Sequence, residues 1–204
     1  MEEIPSYKIV VVGTSGVGKT ALVQRLIDDA FSYESKPTIG VEFKSHTCKC
    51  GDETVKINIW DTAGQEKFRS ISKAYFRNAV GALLVFSFSD RESFDHLNIW
   101  LNDLHSLCPE NAIIILVGNK VDLTQDRVIS NTEAQLFAER HGLDFFETSA
   151  FTSYNVSDTF AQLATKIHEK VKLGDIQSPT LQLKSQLAVS SEKPEEVETK
   201  QSCC

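Results

Sequence analysis

The residues best suited to chemistry form one run, Gly13-Thr14-Ser15-Gly16-Val17-Gly18-Lys19-Thr20, which satisfies the pattern G-x-x-x-x-G-K-[ST]. It follows a buried-strand signature, Ile9-Val10-Val11-Val12, and opens a helical pattern carried by Ala21-Leu22-Val23 with Leu26-Ile27. In that setting the glycines let the backbone wrap a phosphate with its N–H groups turned inward, and the helix N-terminus adds partial positive charge. Lys19 then reaches the β- and γ-phosphates, while the Thr20 hydroxyl ligates Mg²⁺. A plain glycine-rich turn needs neither the lysine nor the strand-to-helix setting.

Such a loop does not choose its base. Asn119-Lys120-Val121-Asp122 directly follows an apolar run, Ile113 to Val117, which places it at a strand's carboxyl end, where open α/β sheets bind ligands. The Asp122 carboxylate can accept from guanine N1–H and the 2-amino group. Adenine would leave that carboxylate unpaired, a mismatch of several kcal/mol. Asp61-Thr62-Ala63-Gly64-Gln65 lies past another strand pattern. There Asp61 can hold Mg²⁺ through water, the Gly64 N–H can touch a γ-phosphate, and Gln65 can orient the attacking water.

These residues need a frame, and the rhythm from Tyr7 to about Leu173 supplies one: short apolar runs alternate with helix-period segments, the α/β signature. Ile9 to Val12, Leu83 to Phe86 and Ile113 to Val117 are continuous runs, as expected of central parallel strands buried on both faces. Between Gly40 and Trp60 the pattern alternates, with Val55, Ile57 and Ile59 on one side and Gly51-Asp52-Glu53 as the turn; this predicts a hairpin with one antiparallel edge strand. Further helices are marked by Phe94, Leu97, Leu101 and Leu104, by Ala134, Phe137 and Ala138, and by Phe160, Leu163, Ile167 and Val171. From Asp175 to Ser202 the chain is polar and without period, a tail or linker. The chain is long enough for one well-cored domain plus that tail.

A net charge of -7 argues against a general polyanion or nucleic-acid binder, which carries a basic surplus. The first residues are acidic and lack an apolar h-region, and no apolar run approaches 18 residues, so neither a secretory signal nor a membrane span is expected. Five cysteines without a signal point to a reducing cytosol rather than a disulfide framework. Cys48 and Cys50 share a strand face without metal partners nearby, and Cys108 reads as a small buried hydrophobe. Asn155-Val156-Ser157 matches a glycosylation acceptor that a cytosolic chain never presents to the machinery.

With these motifs in order, the chain resembles a Ras-superfamily small GTPase, and more closely a Rab, over residues 7 to about 172. The resemblance implies a P-loop fold with a six-stranded, mostly parallel sheet, one antiparallel edge strand and helices on both faces. It further implies slow hydrolysis of GTP to GDP and phosphate, accelerated by a GAP, in a switch regulating vesicle trafficking. The domains expected are an extension over 1–6, the GTPase domain over 7–173 and a tail over 174–204. Carried onto this chain, Ser15, Gly16, Val17, Gly18, Lys19, Thr20 and Ala21 line the phosphates. Thr38, in Lys36-Pro37-Thr38-Ile39-Gly40, closes on Mg²⁺ and the γ-phosphate, so the metal set is Thr20, Thr38 and Asp61. Phe31 packs on the guanine, and Asn119, Lys120, Asp122, Ser149, Ala150 and Phe151 complete its pocket. Lys19, Thr38, Gly64 and Gln65 are the expected catalytic group.

Rab character rests on Ile39-Gly40-Val41-Glu42-Phe43, Lys56-Ile57-Asn58-Ile59-Trp60, Gln65-Glu66-Lys67-Phe68-Arg69-Ser70 and Tyr75-Phe76-Arg77-Asn78-Ala79. Phe43, Trp60 and Tyr75 fall where Rabs place an effector-reading aromatic triad, with Ile39 beside it. Four positions depart from the pattern. Phe151 replaces the usual Lys, Ser87-Phe88-Ser89 an Asp-containing segment, Asn78 a Gly, and Ser15 the Gly of Ras proteins.

Cys203-Cys204 is not a C-a-a-X box; it resembles the Rab ending that receives two geranylgeranyl groups, and two lipids anchor stably where one does not. The tail carries Lys184, Lys193 and Lys200 against five acids, so anionic lipid adds little attraction. The resemblance thus implies a monomer on the cytoplasmic face of endomembranes, cycling with the cytosol. Its implied partners are an exchange factor, a GAP, effectors, a Rab escort protein and a GDP-dissociation inhibitor. Two other classes stay open: an ATP-using phosphotransferase, which would have no guanine-reading Asp122, and a non-catalytic GTP-dependent scaffold, against which Gln65 argues.

Overall fold

The structure is a computed structural model that describes residues 4–33 and 37–176. The paired cysteines, almost all of the polar tail, and Lys36 lie outside the described residues. In chain order the elements are β1 (Ser6–Val12), α1 (Lys19–Asp28), β2 (Val41–Cys50), β3 (Glu53–Thr62), α2 (Arg69–Ala74), β4 (Gly81–Ser87), α3 (Arg91–Asp95), α4 (Leu97–Leu107), β5 (Ile113–Asn119), α5 (Asn131–His141), β6 (Asp144–Glu147) and α6 (Val156–Leu173). The six strands form one sheet in the order β2-β3-β1-β4-β5-β6. Only β2 runs antiparallel, with Cys50 opposite Glu53 and Val41 opposite Thr62. The expected hairpin, edge strand and three central strands are all present.

Period-2 alternation divides the central strands between two cores. Ile9, Val11, Leu83, Val85, Ile115 and Val117 meet α1 and α6 on one face through Leu22, Val23, Phe160, Leu163 and Ile167. Val10, Val12, Leu84, Phe86 and Leu116 meet α3, α4 and α5 on the other through Phe94, Leu97, Trp100, Leu101 and Phe137. Continuous apolar runs are what a strand covered on both sides requires.

The structure differs from the sequence pattern in detail. Glu53 is the first residue of β3 rather than part of the turn, and its carboxylate accepts from buried His168 Nε2 at 3.0 Å while pairing with Lys172. The Tyr7 hydroxyl meets His168 Nδ1 at 2.7 Å, so one buried side chain joins β1, the hairpin and α6. The single helix expected over Phe94 to Leu104 is two, α3 and α4, broken at His96, where ψ is -3°. Both halves still face one core. Past α6, Asp175 is bonded to Asn111 Nδ2 at 3.0 Å and Ile176 is buried, so packing continues two residues beyond Gly174. Cys108 is half-buried, and its thiol donates to the Phe76 carbonyl at 3.4 Å.

Two departures find physical reasons here. Asn78 holds φ 62°, the left-handed region that glycine and asparagine tolerate best. Phe88 is fully buried 5.0 Å from the Phe86 ring, with the Arg127 guanidinium 3.8 Å from its own centroid. That ring occupies the space a side chain at Gly118 would need: a Cβ there would lie 2.5 Å from Phe88 Cε2 and 2.7 Å from Cζ. Gly118→Ala is therefore expected to destabilise the domain by about 1–3 kcal/mol, read as a lower urea midpoint at unchanged m value.

Candidate active site

The loops after β1, β3, β5 and β6 all leave the carboxyl ends of parallel strands, so four separate stretches converge at one end of the sheet. The first runs from Val12 into α1. Gly13 and Gly18 hold φ 145° and 97°. Neither has room for a side chain: a Cβ would stand 2.1 Å from the Val85 carbonyl oxygen at Gly13, and 2.4 Å from Asn119 Nδ2 at Gly18. Lys19 is 6% exposed, and its ammonium donates to the Gly13 and Thr14 carbonyls at 2.8 and 2.9 Å. Burial pushes its pKa down to about 8, with Asp61 opposing the shift. Val17 contributes backbone only, since its side chain lies in the core.

Beside Lys19, three oxygen-bearing side chains from three elements meet. Thr20 Oγ1 donates to Asp61 Oδ2 at 2.5 Å and lies 2.8 Å from Thr38 Oγ1. Asp61 is 1% exposed, and its other oxygen, Oδ1, has no hydrogen-bond partner among the described residues. Burial raises the carboxyl to about 6 against the Thr20 bond and the Lys19 charge. A desolvated carboxylate with a free oxygen and two hydroxyls is a hard-oxygen donor set, which suits Mg²⁺. Gly64 closes the same corner: a Cβ there would stand 2.4 Å from Lys19 Nζ and 2.5 Å from Ser15 N. The cavity enclosed by Ser15, Gly16, Gly18 to Ala21, Pro37, Thr38 and Gly64 measures about 130 Å³. A larger groove of about 730 Å³ lies away from these loops, between α4, α5 and α6. Volume does not single out the site, whereas the chemistry of the lining does.

The second half of the site is a set of ties between loops. Asn119 is 1% exposed and does not face outward: its Nδ2 donates to the Val17 carbonyl at 2.9 Å, and its Oδ1 accepts from Thr148 Oγ1 at 3.2 Å and Ala150 N at 3.3 Å. Lys120, at φ 66°, runs its stem toward Gly18. Ser149 Oγ donates to Asp122 Oδ1 at 2.5 Å and accepts from Thr152 N at 3.0 Å, which leaves the second Asp122 oxygen for a ligand. Phe31, Tyr33 and Phe151 bring their rings together with centroids 5.0 to 5.5 Å apart.

Gln65 precedes a short 3-10 turn, Glu66–Phe68, that carries no buried residue. Phe43 and Trp60 face each other across β2 and β3 at 4.8 Å, with Lys8 Nζ 4.9 Å from the Trp60 ring. Ile39 is 81% exposed. Tyr75 is also exposed at the end of α2, but makes no ring contact with that pair among the described residues. The sequence motifs do not mark two contacts. Arg25 Nε donates to the Ala150 carbonyl at 2.9 Å and its NH2 to the Phe151 carbonyl at 3.1 Å. Asp103, buried in α4, binds Arg69 Nε at 2.7 Å and Lys73 Nζ at 2.9 Å, tying α2 down.

A glycine-rich strand-to-helix loop with a buried lysine, facing a hard-oxygen metal set, defines a P-loop nucleotide-binding protein. The family model described as "Ras family" matches residues 8–169. Ras-related protein RABA4a of Arabidopsis thaliana is 47% identical over 79% of this chain and 71% of its own length. RABA4b of the same plant is 44% identical over 84% and 77%, and Rab-4A of Homo sapiens 45% identical over 83% and 78%. The chain belongs to the Ras family, in its Rab branch. It is a GTPase that binds GTP and GDP with Mg²⁺ and works in vesicle trafficking with exchange factors, GAPs and effectors. Among the described residues no helix is long and apolar enough to cross a membrane.

The Asp103 tie has a measurable consequence. Asp103→Asn leaves Arg69 and Lys73 without their anion, so stability is expected to fall by about 2 kcal/mol. Amide exchange across residues 66–74 should quicken by about tenfold, read by hydrogen–deuterium exchange.

Proposed function

We propose that the residues gathered around Asp61 and Lys19 carry out GTP hydrolysis in the roles their positions suggest. The observation that carries this reading is the convergence of Thr20, Thr38 and Asp61 on one oxygen-rich point beside a buried lysine. Lys19 holds the β- and γ-phosphates and offsets the charge that gathers as the bond to the leaving GDP breaks. Thr20, Thr38 and Asp61 would hold Mg²⁺, which would supply Lewis-acid stabilisation of the charge developing in the reaction. The Gly64 N–H donates to the γ-phosphate, and Gln65 aligns the water that attacks phosphorus. The free oxygen of Asp122 reads guanine N1–H and the 2-amino group, with Ser149, Ala150 and Lys120 supporting it. Loss of the γ-phosphate releases Thr38 and Gly64, and both switch segments relax. Among the described residues no arginine lines the cavity beside Lys19, so turnover stays slow until a GAP lends one.

The GTPase domain spans 7–173, preceded by the short extension 1–6, and the tail over 174–204 joins it to the lipid anchor. Cys203 and Cys204 receive geranylgeranyl groups with an escort protein presenting the chain, and a GDP-dissociation inhibitor extracts it from the cytoplasmic face of an endomembrane. Ile39, Phe43, Trp60 and Tyr75 form the surface that effectors read. The exposure of Ile39, Phe43 and Tyr75 supports this, with half-buried Trp60 beneath the Phe43 ring.

Gln65→Leu should keep GDP affinity within a few fold and slow GAP-stimulated phosphate release by about a hundredfold in single turnover. Release at the wild-type rate would show that Gln65 does not position the water. A chain lacking Cys203 and Cys204 should stay in the soluble fraction of cells while still binding GTP; its recovery with membranes would refute lipid anchoring.

A further inference from the structure

Phe151 stands apart from the rest of the site because nothing in the roles above requires an aromatic ring there. It is 47% exposed, yet its ring touches two others, Phe31 at 5.4 Å and Tyr33 at 5.5 Å. Phe31 and Tyr33 in turn meet edge to face at 5.0 Å, closing a triangle in which every ring contacts both others. Tyr33 is 80% exposed, so this cluster sits at the rim of the site rather than in the core. The three rings come from two stretches far apart in sequence: the chain leaving α1 on its way to Thr38, and the loop after β6 that holds Ser149 and Ala150.

The backbone under Phe151 is fixed. Arg25, from α1, donates to the carbonyls of both Ala150 and Phe151, and its remaining donor goes to Asp29. Thr152 N is bonded to Ser149 Oγ, the same hydroxyl that holds Asp122. The ring of Phe151 is therefore held from below by the base-reading loop, while its contacts reach across to the other wall.

We propose that Phe151 is a positioning residue for nucleotide retention: with Phe31 and Tyr33 it forms an aromatic brace that joins the two walls of the base pocket and slows nucleotide release. This rests on the reading of residues 148–151 as the base-binding loop. A nucleotide leaves only when the walls part, and parting them separates Phe151 from both other rings. Edge-to-face and tilted pairs of this spacing are worth about twofold to tenfold each in an equilibrium or rate. The brace works through apolar contact in place of a charge, so retention through this rim is insensitive to salt.

The test is the dissociation rate of fluorescent GDP from the full chain, with Mg²⁺ present and excess unlabelled GDP, at 0.1 and 1 M NaCl. Phe151→Ala is expected to speed release by about fivefold to a hundredfold, and Tyr33→Ala by about twofold to a hundredfold. The double variant should be faster than either but less than the product of the two, since they share a contact. Phe151→Tyr should restore slow release, and the melting temperature of Phe151→Ala should stay within 2–3 °C of wild type, about the shift expected of a surface substitution. Release within twofold of wild type for Phe151→Ala, strictly multiplicative effects in the double variant, or a large fall in melting temperature each overturns the brace. Displacement of bound GDP by ATP as readily as by GTP would overturn the base-site reading and the brace with it. Guanine-selective binding with unchanged release would overturn the brace alone.

Discussion

Lys19 and Asp61, opposite charges from different elements, are buried at the carboxyl end of the central strands, and the rest of the site is organised around keeping them there. Both are held at a cost: burial pushes the lysine down to about 8 and the carboxyl up to about 6, each against its preferred charge state at neutral pH. Shifts of that size correspond to roughly 3 kcal/mol apiece. In both cases the partner charge works against the shift but does not cancel it. In the roles proposed for them, a phosphate chain would offset the first cost and a divalent cation the second. Ligand binding at this point would then relieve an electrostatic cost already present in the fold.

Such a site works only if the loops around it keep their spacing. Asn119 does this with three hydrogen bonds, one to the phosphate loop and two to the base loop. Because the side chain is buried and every bond goes to another loop, its role is architectural. Arg25 adds a second tie from the outside of α1 to the Ala150 and Phe151 carbonyls. The phosphate and base halves consequently behave as one body, with the close approach of Asn119 to Gly18 setting the distance between them.

Much of this was legible in the sequence where the information is local. β1, β4 and β5 are continuous apolar runs because both faces are covered, and the four loop motifs are contiguous, so spacing alone places them at strand ends. β6 has no such signature: Asp144-Phe145-Phe146-Glu147 is four residues long and half-buried throughout. The break at His96 is equally silent, since the apolar period of Phe94, Leu97, Leu101 and Leu104 runs straight through it. Ties such as Arg25 to Ala150, 125 residues apart, and Asn119 to Val17, 102 apart, end on backbone carbonyls that every residue type carries. No spacing rule can find an acceptor common to all residues.

The segment after β3 shows how a fold can be rigid and still switch. At its near end Gly64 lies so close to the phosphate loop that a single methyl group would collide with Lys19 Nζ and the Ser15 nitrogen. At its far end Arg69 and Lys73 are pinned to buried Asp103, and the Arg69 guanidinium lies 5.6 Å from the Trp100 ring. Between these anchors, Gln65 and the turn Glu66–Phe68 contribute no buried side chain. In the role proposed for Gly64, a change at the phosphates would reach the segment through it, whereas α2 is restrained by its own contacts to α4. The least restrained residues are therefore those between the anchors, among them Gln65, the residue proposed to align the attacking water.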